Sequence, residues 1–224
     1  MCGRFTVLTA PRVKLKGVRN ADLLFEARYN IAPTQEVLVI ADLGSGLELT
    51  KLIWGLIPAR SVDGKGFINV RAETIAEKVS FRDSFQKRRC LIPADGFFEW
   101  KRSGRAKQAY YFHFIDGSPF AFAGIWDRWT TSEPIISCAI ITTSANEALK
   151  PIHDRMPVIL KPDAYAAWLD PQADLASLRN LLAPFPSLNI TCHPVSRAVN
   201  YPENDSPELL KRVDNEIGTT PSLF

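Results

Sequence analysis

Met1-Cys2-Gly3-Arg4-Phe5 opens the chain and puts a cysteine directly behind the initiator methionine. With Met1 removed, Cys2 carries a free α-amine and a thiol on one carbon skeleton. Such a 1,2-aminothiol can condense with an aldehyde to an imine and then close a five-membered thiazolidine through sulfur. The α-amine titrates near about 7.7–8.0 and is partly neutral at physiological pH. The thiol, with a free pKa of about 8.5, needs only modest electrostatic help to supply thiolate. The plain alternative is a frayed terminus with no role.

Three further polar positions sit where core packing alone does not explain them. Asn69 interrupts Gly66-Phe67-Ile68-Asn69-Val70-Arg71, between an apolar strand end and an expected helix start. Glu99 lies between Phe98 and Trp100. Desolvation by such neighbours raises a carboxyl pKa and makes a protonated general acid available near neutral pH. The competing reading of Glu99 is an outward-facing strand residue alternating with buried aromatics. His153 stands in the proline-bracketed loop Pro151-Ile152-His153-Asp154-Arg155-Met156-Pro157, and histidine is the side chain that changes charge near neutral pH. His113, in an aromatic strand, and His193, before a proline, read as structural.

The elements that must position these groups are mostly short strands bounded by Gly, Pro and Asp. They cover 36–41, 47–54, 110–115, 119–126, 135–142 and 158–160, with strict alternation over 47–53. Asp116-Gly117-Ser118 is a hairpin signal between the third and fourth runs. Helices are expected over 69–78, over 81–87 with Ser80 as cap, and over 144–149. Two more are expected over 164–169, with Pro162 in the first turn, and over 174–182, with Pro184 as a stop. Strands with interspersed helices and no βαβ rhythm indicate α+β, mainly antiparallel, with a barrel-like core and short flanking helices. Residues 1–224 read as a single domain whose tail, about 206–224, is irregular.

Composition narrows the function classes. The 224 residues are 46% hydrophobic and 23% charged, as in ordinary soluble proteins. Cys2, Cys90, Cys138 and Cys192 show no C-x-x-C pair or zinc spacing, so neither metal nor cofactor is expected. Cys138 and Cys192 read as small core hydrophobes. There is no secretory h-region and no run of about 18 apolar residues. A reduced, cytoplasmic setting without membrane association is expected. Residues 60–107 hold twelve Lys/Arg against six Asp/Glu, a local +6 that leaves −3 elsewhere in a chain of net charge +3. Such a segment suits a polyanion, unless Lys87-Arg88-Arg89 and Lys101-Arg102 merely solvate turns.

Seven ordered blocks link these positions. They are Met1–Phe5, Arg28–Gln35, Trp54–Pro58, Ile68–Thr74, Arg88–Trp100, Ala123–Trp126 and Ile152–Pro157. Together they resemble the SOS response-associated peptidase family over residues 1 to about 205. The resemblance implies sensing of abasic sites in single-stranded DNA and a covalent, lesion-shielding DNA–protein crosslink, in a monomer that is nucleoid-associated when bound to DNA. It implies Cys2 as the covalent residue after self-removal of Met1, a peptidase event. Asn69 would hold the N-terminal backbone or opened sugar. Glu99 would be the acid/base for ring opening, and His153 would assist. Arg4, Arg71 and Arg155 would grip phosphates, and Pro33 and Trp100 would pack against the DNA. An abasic sugar is mostly a cyclic hemiacetal, which needs an acid at the ring oxygen before an amine can attack. Flipping out a site with no base costs little stacking, and aromatic platforms in basic grooves suit single strands.

One departure is visible. Family members usually read Trp-Gly-Leu-Ile-Pro-Ser-Trp, whereas this chain continues Ala59-Arg60-Ser61. A stacking residue is therefore absent there, with Arg60 available to substitute. Three rival readings stand beside this one: an N-terminal nucleophile amidohydrolase, a Cys/His peptidase acting in trans, and a non-covalent reader of modified DNA.

Overall fold

The computed structural model describes residues 2–9, 15, 17–20, 25–104, 106–130 and 132–214. In chain order the strands are β1 (Arg4–Val7), β2 (Arg28–Ile31), β3 (Glu36–Asp42), β4 (Leu47–Trp54) and β5 (Asn69–Arg71). Helix α1 (Val79–Lys87) precedes β6 (Arg89–Ala94), β7 (Gly96–Ser103), β8 (Ala106–Phe114), β9 (Phe120–Trp129) and β10 (Ile135–Ser144). Then come β11 (Arg155–Pro157), β12 (Ile159–Leu160), α2 (Tyr165–Leu169), α3 (Leu175–Asn180) and β13 (Ile190–Val195).

The order β10-β4-β3-β6-β9 returns to β10 through a further ladder, so five strands close a barrel. Closure removes the exposed edges that open sheets must protect. Its β4–β10 seam is parallel, and β5 and β11 add to β10 while β12 adds to β9. A second, antiparallel sheet runs β13-β8-β7-β1-β2.

Period-two alternation sends neighbouring barrel residues to opposite faces. Cys90 and Ile92 pack in one cluster with Phe5, Phe97 and Phe112 of the second sheet. Leu91, between them, joins another with Phe81, Phe85, Trp168 and Leu178 of the helices. All six β6 residues are buried, as a strand covered on both faces requires. Where β9 crosses β6, a Cβ on Gly124 would come within 2.8 Å of Cys90 Sγ, so only glycine allows the approach. The other face of the second sheet buries Phe98, Ala109, Tyr111 and Val195 against Val199 and Leu209 of the segment that follows β13.

This is the α+β, mainly antiparallel, barrel-cored architecture read from the sequence. Four local expectations are corrected. Residues 69–71 form a strand and 72–78 a series of turns, not a helix, because Val70 is buried in parallel register with Ile141 of β10. Helix α1 starts at Val79 after an N-cap Lys78 that makes no side-chain cap bond, so Ser80 lies inside it. Residues 147–152 are turns that hold a buried Leu149. Asp116-Gly117-Ser118 does turn the chain, with Asp116 accepting from Ser118 N at 3.0 Å, yet β8 and β9 enter different sheets. The remaining helix signals hold: Asp174 caps α3 by accepting from Ala176 N and Ser177 N. Cys138 is a core residue, but Cys192 is only half-buried. Among the described residues, no helix is long and apolar enough to cross a membrane.

Candidate functional site

The Trp-Gly-Leu-Ile-Pro block explains how Asn69 is placed. The buried Trp54 indole donates to Ile68 O at 2.8 Å, and Leu56 forms an antiparallel bridge with Phe67. Ile140 N also donates to Ile68 O at 3.1 Å. Asn69 therefore emerges at a fixed point on the barrel rim, and its Nδ2 donates to Cys2 O at 2.8 Å. Its Oδ1 is buried with no hydrogen-bond partner, an acceptor left open beside Cys2.

Cys2 has no exposed surface. Burial pushes its thiol pKa well up, the nearby Glu99 charge pushes the same way, and Sγ lies 3.7 Å from Arg4 O. The thiol is thus protonated in this setting. Glu99 projects from β7, whose register pairs Phe98 with Arg4 of β1. It is 1% exposed, which excludes the outward-facing reading. Burial raises its carboxyl pKa, and the charge of His153 works in the opposite direction. Desolvation wins, favouring a neutral acid that can donate a proton.

His153 sits just before β11, on the barrel side. Its Nδ1 accepts from Arg155 N at 2.9 Å, which leaves the neutral ring's proton on Nε2 by hydrogen-bond assignment. Asp154 Oδ1 is also 3.0 Å from Nδ1. That carboxyl is strongly exposed and attracts only a protonated ring, so the backbone bond sets the ring's orientation. Cys2 just precedes β1 and Glu99 lies on β7, while Asn69 on β5 binds Cys2 O; the Glu99 charge acts on Cys2 and that of His153 on Glu99, so the four share one neighbourhood.

The expected DNA-contact residues divide into groups. Arg4 donates to Gly3 O at 3.2 Å and to Asn200 O at 3.3 Å, and burial lowers its pKa. Half-buried Trp100 donates from Nε1 to Asn200 Oδ1 at 2.8 Å. Arg71 is exposed on β5. Arg155 instead meets Glu73 through both terminal nitrogens, at 2.9 Å for the Nη2 contact, and this holds the Glu73 carboxyl below its usual range. Half-buried Pro33 precedes Thr34, whose φ of +72° is unusual for a β-branched residue and marks a strained loop. Part of the 60–107 basic excess is internal. Arg89 is buried and donates to four backbone carbonyls, and Arg88 pairs with Asp127 at 3.1 Å. Those two serve the fold and not a polyanion. His113 and His193 each hold a backbone carbonyl, of Phe114 and Leu210, both at 2.8 Å.

Sequence reading missed Asn200 and Glu73. Nothing local in either segment signals a role; both become visible only through partners 100 and 82 residues away. Among the described residues no group of three or more His, Cys, Asp or Glu could hold a metal ion.

A closed barrel abutting a second sheet, with a buried second-residue cysteine, an amide, an acid and an imidazole at the junction, defines a protein built around its own N-terminal segment. The chain belongs to the family described as SOS response associated peptidase, which it matches over residues 1–202. The abasic site processing protein YoqW of Bacillus subtilis is 42% identical over 222 residues, covering 94% of this chain and 99% of its own. The abasic site processing protein YedK of Escherichia coli is 34% identical, covering 83% of this chain and 85% of its own. A crystal structure of a Bacteroides thetaiotaomicron protein superposes with a TM-score of 0.81 at 30% identity, covering 95% of this chain and 100% of that one.

Proposed function

We propose that this protein senses abasic sites in single-stranded DNA and shields them as a covalent thiazolidine on Cys2. The observation that supports the reading is the Asn69 amide bound to the carbonyl of a fully buried Cys2, with the buried Glu99 carboxyl near enough to act on the thiol electrostatically. The relatives named as abasic site processing proteins supply the substrate class.

The chemistry follows from the groups present. Removal of Met1, which we assign to the same acid/base apparatus, frees the Cys2 amine. Neutral Glu99 protonates the ring oxygen of the cyclic deoxyribose as its C1′–O bond breaks and the C1′ hydroxyl releases its proton to solvent, giving the aldehyde. The neutral amine, its N–H donating to Asn69 Oδ1, adds to C1′, and loss of water gives the imine. The Cys2 thiol then adds to the same carbon, its proton passes to the former imine nitrogen, and the ring closes. A raised thiol pKa suits this order, because the amine attacks first and the neutral thiol is not spent on other electrophiles. It disfavours a Cys/His peptidase acting in trans, which needs a thiolate beside an imidazolium. Here burial, the main cause of the raised thiol pKa, keeps the thiol protonated.

Incubation with single-stranded oligonucleotides, intact or carrying a uracil-derived abasic site, tests the proposal. A shifted band stable to heat and SDS is expected only with the abasic strand and only with Cys2 present. A band that persists in Cys2→Ala refutes the thiazolidine. Equal, purely non-covalent binding to both strands points to a reader, and glutamine hydrolysis to an amidohydrolase.

A further inference from the structure

Arg4 and Trp100 share one partner, and that partner lies on an unusually well-fixed turn. Asn200 O accepts from Arg4 and Asn200 Oδ1 from the Trp100 indole. The turn is held from beneath by Asn30, which is fully buried and donates from Nδ2 to Val199 O, Tyr201 O and Asn204 O at 3.2, 3.0 and 2.9 Å. Asn204 Nδ2 donates to Ala198 O at 2.9 Å, and Asp205 Oδ1 accepts from Asn30 N at 3.1 Å, closing the clamp.

On this fixed backbone Tyr201 is 59% exposed. A single exposed aromatic is ordinary. An exposed ring on a clamped turn, one residue from the shared anchor of a guanidinium and an indole, is a different arrangement. It resembles a stacking platform for single strands: aromatic faces next to a cation, on backbone that loses little freedom when a base settles.

We propose that the Asn200–Tyr201 step is a second nucleic-acid contact, in which the Tyr201 ring stacks on a base flanking the lesion and Asn200 holds Trp100 and Arg4 in register with it. The proposal rests on the single-stranded DNA reading above. Tyr201 is a binding residue and Asn200 a positioning residue; neither touches the reacting atoms.

The test uses the full-length protein and fluorescence anisotropy with two single-stranded oligonucleotides that contain no aldehyde. One carries a central tetrahydrofuran abasic analogue between normal bases, and the other replaces the flanking bases with the same analogue. Tyr201→Ala should weaken binding to the first about fivefold or more, and Tyr201→Phe by less than about twofold, as base–aromatic stacking energies require. On the second oligonucleotide wild type and Tyr201→Ala should bind alike. Asn200→Ala should weaken binding in the wild-type background but not in Trp100→Phe, where no indole N–H remains to be held. Undiminished affinity of Tyr201→Ala for the first strand overturns the proposal, as does an equal loss on both strands. If wild type binds neither, the single-stranded DNA reading itself falls.

Discussion

Asn69 Nδ2 donates to Cys2 O at 2.8 Å, tying the barrel rim to the first residues of the second sheet. The contact fixes the backbone that carries both reacting groups. Asn69→Ala should destabilise the fold by about 1 kcal/mol, the worth of one hydrogen bond. It should slow crosslinking well beyond that, because the amine loses its orientation and its waiting acceptor. Single-turnover crosslinking at saturating DNA checks this; an unchanged rate would leave Asn69 with a structural role only.

Glu99→Gln should reduce the crosslinking rate constant about a hundredfold or more, the usual worth of a positioned acid. Affinity for an uncleavable abasic analogue should stay within about twofold, since a buried acid contributes little to phosphate binding. The wild-type rate should fall as pH rises through the elevated pKa of Glu99, and fall on the acid side as the Cys2 amine becomes protonated. Loss of the alkaline limb in Glu99→Gln identifies the group; its persistence removes Glu99 from the proton transfer.

The same burial has a thermodynamic consequence. A carboxyl whose folded pKa is raised binds its proton more tightly in the native state than in the unfolded one. Its favourable contribution is complete below the unfolded value of about 4.3 and is lost as pH rises through the folded value. The Tm difference between Glu99→Gln and wild type should therefore shift in the mutant's favour as pH rises across that window. A pH-independent difference would contradict the desolvated acid.

Arg71 and Arg155 make opposite demands. Arg71 is exposed, so Arg71→Gln should weaken single-strand binding whatever the sequence and reduce the salt slope by about 0.7. Arg155 is engaged by Glu73. Glu73→Gln should tighten DNA binding and steepen the slope, and Arg155→Gln should reverse that gain. Salt titrations of all four proteins decide it; a slope indifferent to Arg155 in the Glu73→Gln background assigns that residue to the fold.

Much of the site was legible because polar residues interrupting apolar runs need a reason. Glu99 between two aromatics and Asn69 after Ile68 are such interruptions, and both end beside Cys2. The strand character of 69–71 was hidden, because Ala72-Glu73 and Glu77-Lys78 favour helix locally while the partner strand that overrides them begins at Ile135. Asp116-Gly117-Ser118 makes the turn its residues signal, but not a hairpin, because β8 and β9 enter different sheets. Turn chemistry fixes a local reversal, whereas the sheet a strand joins is decided by the face it must bury. Arg88 and Arg89 counted toward a basic surface in the composition, yet backbone carbonyls and Asp127 take them.

The most direct measurement is mass spectrometry of the heat-stable adduct formed with an abasic oligonucleotide, intact and after protease digestion. The expected mass is the chain less its methionine residue, plus the oligonucleotide, less one water, with the modification confined to the peptide that begins at Cys2. An adduct that keeps Met1, or one carried by an internal lysine, would contradict the aminothiol chemistry outright.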